Sequence, residues 1–141
     1  MKSTIGKERR LSRIFNKSSG NTIIVPLDDS LLTGPVLGLL HLESKIQKII
    51  KGNPNAVLAF RGQFLNYGDL FSDVGGILNI SASTIRSNYS RKVLVGKVED
   101  AISLGLEAVA VHVNVSSLYE HDMLRDLGKI SIECDLMGMP L

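Results

Sequence analysis

The segment IIVPLDDSLLTGP, residues 23–35, runs from an apolar stretch directly into two adjacent carboxylates, Asp28 and Asp29. A carboxylate at the mouth of a hydrophobic strand is placed to orient a substrate hydroxyl or to move a proton. Two later stretches share the pattern: Asn79 and Ser81 follow Ile77 in ILNIS, and His112 and Asn114 follow Ala110 in AVHVN. Because successive side chains of an extended chain point to opposite faces, Ile24, Pro26 and Asp28 share one face. By the same rule Ile77, Asn79 and Ser81 share a face, as do Ala110, His112 and Asn114, while Val109, Val111 and Val113 turn the other way. In a parallel sheet these polar groups gather at the C-terminal ends of the strands, where barrels carry their catalytic residues. A buried imidazole beside a buried amide needs hydrogen-bond partners, so His112 with Asn114 carries more weight than a lone histidine.

Each residue also has a structural reading. Asp accepts backbone N–H bonds in turns and caps helices, and this is the expected role of Asp29, which faces away from Asp28. His41 and His121 fall on surface positions, and Ser81, Ser83 and Thr84 are residue types common in loops. The VGG of Val74–Gly76 does not match a dinucleotide fingerprint, and no Walker-type loop is present. With no metal-ligand trio at suitable spacing, neither a metal nor a cofactor is expected. Lys92 and Lys97 surround an ambiguous segment, and Lys45, Lys48 and Lys51 belong to a solvated helix face. All five are expected to be solvent-exposed, and no catalytic lysine is assigned.

The elements that must position these residues alternate. Strands are predicted near Thr22–Asp28, Ala56–Phe60, Gly75–Ser81 and Ala108–Val115. Helices are predicted over Val36–Lys51, ended by Gly52, Asn53 and Pro54, over Val98–Leu104, with Glu99 and Asp100 in the first turn, and from about Leu118 to Met137, ended by Gly138. Segment Val93–Val95 is taken as the approach to a helix rather than a strand. An amphipathic N-terminal helix carries Lys7, Arg9, Arg10, Arg13 and Lys17 as a solvated basic face around Leu11, Ile14 and Phe15. Met139–Leu141 reads as the first step of another strand. Alternating strands and helices define an α/β fold with a parallel sheet, and this chain amounts to half of an eight-stranded TIM barrel, a single partial domain over residues 1–141. A half barrel has two unpaired edges and an open apolar interior, so the chain is expected to be either a fragment or a protein that pairs with something.

Composition narrows the class further. The chain has 141 residues, 44% hydrophobic and 21% charged, the balance of a globular protein. A formal charge of +2 is too small to imply a nucleic-acid partner. Cys134 is the sole cysteine, so no disulfide framework forms, which fits a reducing, cytoplasmic location. No stretch reaches the roughly 20 apolar residues of a membrane span, and no membrane partner is expected.

Four stretches, RLSRIFNKSSGNTIIVPLDDSLLTGP, NAVLAFRG, VEDAISLGLEAVAVHVNVSS and RDLGKISIECDLMGMPL, together resemble the N-terminal half of the archaeal-type class I (Schiff-base) aldolases. The resemblance runs from about Gly6 to Leu141. HVNV points to the branch that contains 2-amino-3,7-dideoxy-D-threo-hept-6-ulosonate synthase rather than to the neighbouring fructose-bisphosphate aldolases. It implies a TIM barrel, often in large homo-oligomers, that works on a ketose phosphate through a lysine imine. In the synthase branch aspartate semialdehyde is the acceptor, on a route to aromatic precursors. Asp28 falls on the family's catalytic aspartate, whereas the acid–base tyrosine and the imine lysine belong to the fifth and sixth strands. Asn79, Ser81, His112 and Asn114 are then expected to line the substrate pocket. The chain departs from the family where Asp28, Asp29 and Ser30 replace Asp-His-Gly, and where Phe60, Arg61 and Gly62 replace a histidine followed by Lys-Gly. Two function classes follow: a carbon–carbon lyase or synthase active in a completed barrel, or an inactive half barrel serving as an assembly or regulatory module. The expected partners are a phosphorylated sugar and an aldehyde, with further copies of the chain or the other barrel half.

Overall fold

The computed structural model describes residues 4–35, 37–86 and 89–141. Its centre is a four-stranded, wholly parallel sheet in the order β1 (Ile24–Pro26), β2 (Ala56–Ala59), β3 (Gly75–Asn79), β6 (Ala108–Ala110). The register sets Ile24 beside Ala56, Ala56 beside Gly75, and Ile77 beside Ala108. All four C-terminal ends therefore open onto one rim. Each strand is shorter than predicted, most of all the last: Val111 to Val115 lie outside the strand. A second, antiparallel pair, β4 (Ser81–Ala82) with β5 (Val93–Leu94), begins just beyond the C-terminal end of β3. The segment expected to be a mere approach to a helix is thus a strand, too short for periodicity to reveal.

α3 (Leu42–Lys51) turns an apolar stripe to the sheet: Ile46 is fully buried, and Leu42, Ile49 and Ile50 pack against the same core. The predicted helix begins late, after a 3₁₀ turn at Leu37–Leu39, and its expected first residue, Val36, lies outside the described residues. Two helices had no counterpart in the sequence reading: α2 (Asp29–Thr33) and α4 (Arg61–Tyr67). The other two follow expectation closely, as α5 (Val98–Ser103) and α6 (Glu120–Met137). Val57, Ala59, Leu78 and Val109 from the strands, and Ile80 from the link between β3 and β4, belong to the main core with Ile46, Phe64, Val98, Leu106, Ile130 and Met139. Burying each of the larger of these side chains contributes about 1.5–3 kcal/mol.

The opposite, inner face carries a small cluster of Ala56, Ile77 and Ala108, closed from below by Ile14 of α1 (Ile5–Ile14). Ile24 and Pro26 of β1 are exposed on this face. The basic face of α1 is only partly solvated: Lys7 pairs with Asp135, Arg10 donates to the Gly138 carbonyl, and Arg13 pairs with Glu107. Glu107 is buried at the start of β6 and also accepts the Gly76 N–H at 2.7 Å, which joins β3, β6 and α1 at the base of the sheet. VGG has a packing role here, since a Cβ on Gly76 would lie 2.5 Å from a Leu106 methyl.

α6 ends where Gly138 takes a left-handed conformation (φ 60°), and the Met139 N–H turns back to the Cys134 carbonyl. Beyond it, Met139 is fully buried and Pro140 accepts the Val109 N–H at 3.1 Å. The last residues thus begin to pair with β6, although no strand forms. Among the described residues no helix is long and apolar enough to cross a membrane.

A Cβ at position 138 would meet both a positive φ and the Thr4 hydroxyl 2.5 Å away. Gly138→Ala is expected to lower stability by about 1–2 kcal/mol from the backbone alone, more if Thr4 cannot move, read as a lower midpoint in denaturant titration. Burial raises the Cys134 thiol to about 11. Alkylation at pH 8 is therefore expected to be slow in the native chain and fast after unfolding, as followed by mass spectrometry.

Candidate active site

Asp28 is the first residue after the apolar run of β1, and its carboxylate is buried on the inner side of the rim. It is the N-cap of α2, yet its side chain makes no capping bond to that helix. The carboxylate instead accepts a 2.7 Å hydrogen bond from Asn79 Nδ2, at the end of β3, with β2 lying between the two strands. Asn79 Oδ1 accepts the Ser81 N–H at 2.9 Å and the Ser81 hydroxyl at 3.2 Å. A backbone N–H can only donate, so this contact fixes the amide with its NH₂ toward Asp28. The Ser81 oxygen in turn accepts the His112 N–H at 2.8 Å. A line of hydrogen bonds therefore runs from the loop after β6, through β4 and β3, to one carboxylate. A neutral donor aimed at an ionised acceptor makes a strong, directional bond.

A second brace was not read from the sequence. Gln63, buried in α4, donates to the Leu27 carbonyl at 2.6 Å and accepts the Phe60 N–H at 2.8 Å. One side chain thus ties the end of β1 to the end of β2, immediately before Asp28. The stretch RGQFLNYG shows too little apolar periodicity to announce a helix, and a glutamine inside it gives no separate signal.

Of the five residues predicted for the site, three form one connected group: Asp28, Asn79 and Ser81. His112 does not have the predicted burial. Because β6 stops at Ala110, its side chain is exposed and only its backbone joins the group. Asn114 is half-buried and spends its amide on the Ser90 carbonyl at 2.9 Å, tying two loops together away from Asp28. Asp29 is exposed in the first turn of α2, consistent with a local role.

Lys92 departs from its expected exposure. It is buried, 9% accessible, just before β5. Its Nζ donates to Ser83 Oγ at 2.8 Å, and its N–H lies 3.4 Å from Met123 Sδ. Burial holds its ammonium below the usual lysine pKa, and the charge of Asp28 partly offsets that. Lys97, Lys45, Lys48 and Lys51 are exposed, as expected.

Residues 22–141 match the description of the DeoC/LacD family aldolases. The chain is 34% identical over 139 residues to 2-amino-3,7-dideoxy-D-threo-hept-6-ulosonate synthase 1 of Archaeoglobus fulgidus, covering 97% of this chain and 52% of that protein. A synthase of the same name from Halobacterium salinarum is 31% identical, over 96% of this chain and 51% of the relative. In three dimensions the chain is similar to an archaeal fructose 1,6-bisphosphate aldolase, with a TM-score of 0.83 and 26% identity, over 96% of this chain and 55% of the other. The α/β architecture, its parallel sheet and the buried carboxylate on the rim agree with this assignment: the chain belongs to the DeoC/LacD aldolase family. It spans about half the length of the curated relatives it matches, and the barrel is not closed over the described residues.

Replacing Gln63 by Ala strips the Leu27 carbonyl and the Phe60 N–H of their partner. Such buried losses cost about 1–3 kcal/mol each. Gln63→Ala is expected to fall in that range by denaturant titration, with faster amide exchange at Phe60.

Proposed function

We propose that this chain is the part of a class I aldolase or transaldolase-like synthase that carries the catalytic carboxylate. The reaction is the making or breaking of a carbon–carbon bond in a ketose phosphate through a lysine imine. The observation that carries this reading is the burial of Asp28 at the C-terminal end of β1, held on the inner side of the rim by Asn79, in a chain of this family.

In this reading the amine and the acid–base phenol come from the other half of the barrel. When the amine adds to the ketone, the carbinolamine that forms must lose water, and the resulting protonated imine draws electrons from the breaking bond. Asp28 supports both steps by accepting a hydrogen bond from the carbinolamine hydroxyl or the iminium and by relaying its proton. Asn79 and Ser81 hold the carboxylate in place. Aspartate semialdehyde as acceptor, and a role in making aromatic precursors, follow from the likeness to the two synthases. The exposed Ile24 and the unpaired edge of β1 are covered by the other half of the barrel, in an enzyme that assembles as a homo-oligomer.

Fusing residues 1–141 to the C-terminal half of the Archaeoglobus synthase tests the reading. With a ketose phosphate and borohydride, the fusion is expected to retain a reduced adduct on a lysine of the added half. Asp28→Asn is expected to cut turnover by roughly 10²–10⁴-fold with its thermal midpoint unchanged. Full turnover in that variant rejects the role of Asp28, and a folded fusion that traps no imine favours the inactive module instead.

A further inference from the structure

Three of the cations of α1 converge on one place. Arg9, Arg10 and Arg13 line a cleft of about 280 Å³, closed on its other side by Ile102 of α5 and by Gly105 and Leu106 in the turn that leads to β6. Residues 9 and 13 lie one turn apart, where like charges repel. Little in the chain offsets them. Arg13 gives one N–H to Glu107 at 3.0 Å, and Glu107 is also occupied by the Gly76 N–H. Arg10 gives one N–H to the neutral Gly138 carbonyl at 3.0 Å, and Arg9 has no hydrogen bond or ion pair among the described residues. Asp135 of α6 is engaged by Lys7, and the α5 side of the cleft adds no charged side chain. Three guanidinium charges less the one carboxylate leave an excess of two. Each guanidinium has five N–H donors, so most of those around the cleft are unspent. The wall at Gly105 is bare, since a Cβ built there meets nothing within 4 Å.

We propose that this cleft binds a phosphate group, free or as the ester of a small metabolite, at the end of the sheet opposite Asp28. A phosphate dianion matches the excess charge, and planar guanidinium groups grip its oxygens through paired hydrogen bonds. A single carboxylate, with one charge and two oxygens, leaves the third guanidinium unanswered. The cleft lies before the start of β6, whereas Asp28 follows the end of β1, so a phosphate held here takes no part in bond making. It acts on the fold instead. Bound oxygens bridge α1 to the turn before β6, and Arg13 extends that bridge through Glu107 to β3. A ligand that binds only the native arrangement stabilises it. The inference stands apart from the aldolase reading, because neither the imine nor Asp28 enters it.

Thermal midpoints of the 141-residue chain in rising inorganic phosphate test the site. The titration is run at about pH 7.5, where phosphate is mostly dianionic, with ionic strength held by chloride. A saturable rise is expected with phosphate and none with chloride alone. Arg9→Ala removes a cation that makes no contact in the fold, so the midpoint without phosphate is expected to stay in place while phosphate binding weakens by about 10–100-fold. Arg9→Lys, which keeps the charge but loses the fork, is expected to fall between the two. Lys48→Ala, on the exposed face of α3, is expected to bind phosphate as the wild type does. Amide exchange at Gly105 and Leu106 is expected to slow when phosphate is present. Glycerol phosphate, with glycerol as its control, separates the two sources: protection by it as well as by phosphate identifies an ester, and protection by phosphate alone identifies the free ion. A rise that does not saturate, that chloride reproduces, or that survives Arg9→Ala intact overturns the site.

Discussion

Asn79 reaches Asp28 across an intervening strand, and the rest of the rim is arranged so that this 2.7 Å bond can form. Neighbouring strands lie about 4.8 Å apart, so a residue of β1 and one of β3 meet only if both strands end at the same level and curve toward the inner face. Parallel pairing in register brings the ends level. Gln63 then binds the last carbonyl before Asp28 to the strand in between, and Ser81 fixes which way the Asn79 amide faces. The Gln63 and Ser81 contacts are neutral hydrogen bonds of modest net value. Their joint effect is geometric, since together they leave the carboxylate few orientations.

The base of the sheet is held by a different kind of contact. Glu107 accepts a backbone N–H from β3 and the guanidinium of Arg13, and Gly138 receives Arg10 on its carbonyl. These contacts use charge to lock α1 under the strands, at the end where barrels are built for stability, and the polar chain at the opposite end serves the candidate chemistry. The two ends divide the polar residues of one small sheet between support and the candidate site.

Much of this was legible in the chain itself. Asp28 and Asn79 were placed on the inner face by simple alternation, because both follow apolar runs that the structure does make into strands. The same rule failed for His112: alternation continues through VHVNV, but pairing stops at Ala110, and past that point the side chains no longer obey a pleat. Lys92 was hidden for the opposite reason. Its burial depends on a strand of two residues and on a contact with Met123 of α6, neither of which leaves a local pattern. Gln63 and Glu107 were likewise invisible, since a polar residue that satisfies backbone groups of distant segments looks, in the sequence, like any surface residue.

Pro26 gives the exposed strand a further property. The Leu27 N–H bonds to Leu58 on β2, so by alternation the amides at 24, 26 and 28 face the unpaired side of β1. The central one of the three is a proline, which has no hydrogen to offer. Any strand arriving from that side finds a gap in the ladder at its midpoint, which suits a partner carrying no acceptor there and disfavours indiscriminate sheet extension. The edge is therefore selective: it discourages cross-β growth between stray chains while leaving room for a strand whose own shape matches the interruption.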